Sequence, residues 1–82
     1  MNVELKPKAI KELRDIPKAD AQRIAEGLKS LEQGLSGDVK RLTSFTPECR
    51  LRVGSYRVLF EIEDSTVVVY RVVHRQRAYA KR

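Results

Sequence analysis

Tryptophan is absent, aromatic residues make up only 6% of the chain, and cysteine occurs once. A single cysteine cannot close an internal disulfide. Cys49, small and apolar within a strand-like run, fits a core position better than a nucleophile. No apolar stretch reaches membrane length, and the opening "MNVELKPKAIKELRDI" lacks the apolar centre of a secretory signal. The chain therefore reads as cytoplasmic, with no membrane partner. Neither a repeat nor a low-complexity segment is present, and no cofactor or metal is expected.

What is there suits one packed domain spanning 1–82. At 82 residues the chain has room for a single core, since a domain of this size buries only about 60% of the surface its unfolded chain exposes. A hydrophobic fraction of 41% and charges of both signs argue against disorder. Seventeen Lys and Arg against eleven Asp and Glu leave a net charge of +6, which points to a polyanion or an acidic protein as partner.

With four glycines and three prolines, these residues act as punctuation. Asn2 to Leu5 reads as a strand, and Pro7 suits the first turn of a helix. Ala9, Ile10, Leu13 and Ile16 recur at helical spacing, and Pro17 ends that helix. Ala21, Ile24, Ala25, Leu28 and Leu31 form a second apolar stripe that ends before Gly34. "GLSGDVKRLTSFTPE" is mostly loop, with Val39 to Leu42 briefly extended.

Three β-rich runs follow: Cys49 to Val53, Tyr56 to Glu63 and Thr66 to Val73. The order β-α-α-β-β-β implies an α+β fold, with two antiparallel helices packed on one face of a small antiparallel sheet.

A two-residue Gly54-Ser55 turn pairs Arg52 with Arg57 and sets Arg50, Arg52 and Arg57 on the face opposite the core. For the next hairpin, a three-residue Glu63-Asp64-Ser65 loop is expected. It sends Val68, Tyr70 and Val72 to the core and leaves Arg71 and Arg75 beside the other arginines. Leu59, Val67, Val69 and Val73 would then give the same open face an apolar area fit for a partner. Like charges directly opposite on a sheet cost up to about 1 kcal/mol, so this clustering asks for an anionic ligand.

The ordered set in "CRLRVGSYRVLFEIEDSTVVVYRVVHRQRAY", with "VKRL" and the two helices upstream, resembles the RelE family of toxins from toxin-antitoxin systems. The resemblance covers the chain from Leu5 to Tyr79. It implies a ribosome-dependent mRNA endoribonuclease, an mRNA interferase acting in the ribosomal A site and neutralised by a RelB-like antitoxin. Carried over by position, its catalytic basic residues fall on Arg50, Arg52, Arg57 and Arg75, and its stacking tyrosine on Tyr79. Arg77 competes with Arg75 for the late position. Arg71, Arg77, Lys40 and Arg41 would contact the RNA backbone.

The family pattern has lysines where this chain has Arg50 and Arg52, and an arginine with a pKa above ~12 is a poor general base. His74, Tyr79 and Glu61 stand as alternatives for that role. Two rival readings are a ParE-like toxin that inhibits gyrase without being an enzyme, and an inactive relative that only binds RNA.

Overall fold

The computed structural model describes residues 2–34, 39–41 and 49–78. The elements are β1 (Asn2–Leu5), α1 (Pro7–Arg14), α2 (Lys18–Glu32), β2 (Val39–Arg41), β3 (Cys49–Val53), β4 (Tyr56–Glu63), β5 (Thr66–His74) and α3 (Arg75–Ala78). The order read from the sequence holds; the brief extended run expected from Val39 forms β2, and the four-residue α3 is added.

Pro7 opens α1, where its missing N–H would have had no intrahelical partner. The helix stops at Arg14 because Pro17 disfavours helical backbone at Ile16. Ala9 is fully buried, with Leu13 and Ile16 packed against the core. Ile10, expected in the same stripe, is instead 42% exposed.

The second helix buries Ile24, Leu28 and Leu31, whereas Ala25 lies on the exposed flank of that narrow stripe. Gly27 lets α2 approach β3 closely, since a Cβ there would stand 3.0 Å from Leu51 Cδ2 and 3.2 Å from Val53 Cγ2.

The five strands are ordered β1-β5-β4-β3-β2. β2 to β5 pair antiparallel, while β1 runs parallel to β5, with Asn2 opposite Thr66 and Leu5 opposite Val69. The sheet is therefore mixed. Both α1 and α2 face its apolar side, around Cys49, Leu51, Val58, Phe60, Val67, Val69 and Val72. Buried Cys49 belongs to this core.

The β4–β5 hairpin corrects the expected loop. Glu63 pairs with Thr66, so the turn has two residues, Asp64 and Ser65, both at positive φ (49° and 64°) as a type I′ turn requires. Val67 and Val69, expected on the open face, are fully buried in the core instead; Val68 is buried too, at 4% exposure, but between Glu4 and Glu61 on the open-face side, and Tyr70 is only half-buried. Arg71 nevertheless reaches the open face, because the register shifts between Leu59 and Phe60. Phe60 faces Val69 and Leu59 faces Arg71, which leaves Tyr70 unpaired as a bulge. One extra residue inverts the alternation, so Val72 returns to the core.

Candidate functional site

The Gly54–Ser55 turn is the node of the basic region. Gly54, at φ +57°, supplies the left-handed backbone that the tight turn needs. It fixes the predicted register: Val53 opposite Tyr56, Arg52 opposite Arg57 and Arg50 opposite Leu59. Arg57 Nη1 donates to the carbonyl oxygens of Gly54 at 3.1 Å and Tyr56 at 3.0 Å. The backbone N–H of Arg75 donates to the Ser55 carbonyl at 2.7 Å. Successive carbonyls of one turn thus anchor the Arg57 side chain and the start of α3, bringing Arg57 and Arg75 to the same end of the sheet.

Lys40 pairs with Arg50, adding a cation to the same row, whereas Arg41 pairs with Cys49. Lys40 and Arg52 are exposed, and Arg50 and Arg57 are half-buried. Tyr79, and the side chains of Arg41 and Arg77, lie outside the described residues.

Arg71 is on the open face by register but is committed elsewhere. β1 ends at Leu5, which pairs with Val69, and from there β5 presents a free edge. Glu12 of α1 closes that edge. Its Oε1 accepts the Val72 N–H at 2.9 Å, while Oε2 accepts from Arg71 Nε at 2.8 Å and pairs with Nη2 at 2.7 Å. This bifurcated, charge-assisted contact turns the Arg71 guanidinium toward α1.

His74 pairs with Tyr56 and so follows the core-face register, not that of Arg57. Its ring meets Tyr56 edge-on at 5.5 Å, and its Nδ1 accepts the Gln76 N–H at 3.3 Å. The structure therefore does not bring His74 into the arginine row.

The open face is polar along its strands. Lys40, Arg50, Arg52 and Arg57 occupy one end, while Glu4, Glu61 and Glu63 follow the same alternation at the other. At the acidic end, the Tyr70 hydroxyl donates to Glu63 Oε2 at 3.2 Å, and Lys6 Nζ stands 5.8 Å from its ring centre. Lost hydration, followed by the Glu63 hydrogen bond and the charges of Glu63, Glu61 and Glu4, raises the Tyr70 pKa above its ordinary value.

The expected apolar area on this face is not exposed. Leu59 and Val73 do share it, but as a small separate cluster only 8% and 7% exposed. Long neighbouring side chains can cover such residues with their aliphatic stems.

Two residues escaped the sequence reading. Glu12 looked like one more charge on the polar side of α1, and only its position beside the free edge of β5 gives it a task. Arg23 of α2 brings Nη1 to within 3.5 Å of the Cβ position at Gly54, adding another cation at the turn. A solvent-facing arginine in a helix carries no local signal of that.

An α+β sheet with two helices on one side and a basic row on the other defines a class, and comparison agrees with it. The family model described as the ParE toxin of type II toxin-antitoxin systems, parDE, matches residues 3–79. The chain belongs to the RelE/ParE superfamily of toxins. Within it the resemblance is to RelE: Toxin RelE3 of Methanocaldococcus jannaschii is 28% identical over 75 residues, 85% of each protein. The archaeal RelE-RelB complex from Pyrococcus horikoshii contains a chain that matches with TM-score 0.76 and 27% identity, covering 94% of this chain and 97% of that one. The RelBE2 toxin-antitoxin complex of Mycobacterium tuberculosis gives TM-score 0.76 and 27% identity, over 89% and 95%. This chain is a RelE-like toxin of a type II toxin-antitoxin system.

Proposed function

We propose that this toxin is a ribosome-dependent mRNA endoribonuclease that blocks translation and is neutralised by a RelB-like antitoxin. The observation that carries the reading is the convergence on one turn: Arg57 bonded to its carbonyls, Arg75 held beside it through Ser55, and Arg52 directly opposite Arg57. Cleavage would proceed by attack of a ribose 2′-oxygen on the adjacent phosphorus, with departure of the 5′-oxygen. Negative charge grows on the phosphoryl oxygens as the new bond forms. A guanidinium fixed in advance, as that of Arg57 is by the turn carbonyls, stabilises that charge without reorganising. The cross-strand repulsion between Arg52 and Arg57 is relieved when the phosphate arrives. The antitoxin assignment draws on relatives whose structures are RelE–RelB complexes.

The match to the ParE model supports a second reading, a toxin that inhibits gyrase by contact. One experiment separates them. Purified toxin is added to a primed translation reaction, with 5′ ends of the message mapped, and to a supercoiling assay. Cleavage of ribosome-bound message is expected, falling about 100-fold or more in Arg57→Ala. Intact message together with lost supercoiling would replace the nuclease reading by the second one. If both remain unaffected, both readings fail.

A further inference from the structure

The sequence holds two pairs in which an arginine follows an aromatic ring, Tyr56 with Arg57 and His74 with Arg75, and the β4–β5 register sets Tyr56 directly opposite His74. The two rings meet edge-on at 5.5 Å with their planes at 82°, which orients the imidazole. So held, His74 Nδ1 accepts the Gln76 N–H at 3.3 Å. His74 is the last residue of β5 and Arg75 the first of α3. The contact is therefore an N-cap, in which a side chain on the residue before a helix accepts the N–H of the second helical residue. The first N–H of α3, that of Arg75, goes to the Ser55 carbonyl at 2.7 Å. A helix of four residues lies far below the length that sustains itself in water, so its start depends on such anchors.

We propose that His74 is a positioning residue: through this cap its neutral imidazole sets the direction in which α3 leaves the sheet, and with it the placement of Arg75 beside Arg57. The inference rests on the RNA-cleaving reading and deepens it. An imidazole accepts a hydrogen bond only at an unprotonated nitrogen, so the cap demands the tautomer that carries its proton on Nε2. Protonation turns Nδ1 into a donor facing another donor, and the cap is lost. The titratable and charged groups around the ring are Glu12 and Asp15 from the α1 side, Tyr56 of β4, Arg71 of β5 and Arg75, next in the chain. Glu12 and Arg71 are engaged with each other. With only the Ser55 bond remaining, Arg75 stays tethered by its backbone while the chain beyond it loses its direction. Acid thus withdraws the Arg75 guanidinium and leaves Arg57, bonded to backbone carbonyls, in place.

The test compares wild type with His74→Asn, which keeps a side-chain acceptor suited to an N-cap but does not titrate, and with His74→Ala, which has none. Both variants lose the Tyr56 ring contact, so a difference between them reports the cap and not the packing. Nitrogen-15 NMR of the toxin follows the His74 ring and the protection of the Gln76 amide from exchange between about pH 8 and about pH 5, the span in which imidazole changes charge. At the upper end the ring proton is expected on Nε2. Gln76 protection there should be about fivefold lower in His74→Ala than in His74→Asn, the change that a typical cap corresponds to. On acidification, protection in wild type should fall in step with His74 protonation and stay constant in His74→Asn. Cleavage of ribosome-bound message should follow the same order, with His74→Ala moving toward the rate of Arg75→Ala and the ratio of wild type to His74→Asn falling in acid. A proton on Nδ1 at the upper end, equal Gln76 protection in the two variants, or wild-type protection indifferent to His74 protonation would overturn the cap. A cap that behaves as expected in a protein that leaves message intact removes only the nuclease reading. Cleavage at one rate in wild type and both variants removes the positioning role and leaves the nuclease reading standing.

Discussion

Replacing Glu12 with alanine tests how α1 is fastened to the sheet. The side chain makes three contacts, one to the Val72 N–H and two to Arg71. The ion pair is partly exposed, with Arg71 at 38% and Glu12 at 21%, so water screens it and its share is at most about 1 kcal/mol. The hydrogen bond from the Val72 N–H to a charged acceptor contributes about 1.5 kcal/mol, the lower end of its class because the site is only part-buried. Together the loss is about 2 kcal/mol, which in a domain of this size lowers Tm by about 8–16 °C. Glu12→Gln keeps a carbonyl oxygen for Val72 and discards the charge, so it should recover more than half of the difference. Thermal unfolding followed by circular dichroism reads both variants, and amide exchange at Val72 should accelerate in the alanine variant. An alanine variant melting within about 2 °C of wild type, with Val72 still protected, would refute the claim that Glu12 closes this edge.

Two other outcomes follow from local geometry. Gly27→Ala sets a helix-propensity gain of about 1 kcal/mol against overpacking that typically costs about 1–3 kcal/mol, because the new methyl meets Leu51 and Val53 at 3.0 and 3.2 Å. Net destabilisation is expected in urea titrations, and a stabilised variant would show that β3 yields more readily than its packing suggests. Tyr70 has a raised folded-state pKa, so its contribution to stability is complete below the ordinary value of 10.0 and is lost as pH rises through the folded value. Stability should therefore fall more steeply above pH 10.0 in wild type than in Tyr70→Phe, and identical alkaline slopes would contradict the sign.

Much of this was legible in the chain because local rules agreed with one another. Gly54 permits only a few turns, and the two-residue option places every apolar residue of β3, and all those of β4 except Leu59, on one side, so Arg50, Arg52 and Arg57 were readable as a face. The second hairpin misled for a physical reason. Strict alternation from Thr66 forces a choice between burying Val67 and Val69 and exposing Arg71, and a lengthened loop appeared to settle it. The chain satisfies both demands through Tyr70, and a bulge leaves no mark in hydrophobic periodicity except the conflict itself. Glu12 and Arg23 were unreadable because their roles arise between elements far apart in sequence, where helical spacing is silent.

Inserting a single amino acid between two stretches of a strand acts like a half-twist in a ribbon, since whatever was printed on the front continues on the back. In β5 the half-twist falls at Tyr70, so the upstream valines and the downstream arginine obey opposite parities. A graft or a shuffled hairpin that joins a relative's upstream half to this chain's downstream half must preserve that count, or the guanidinium will be delivered to the interior.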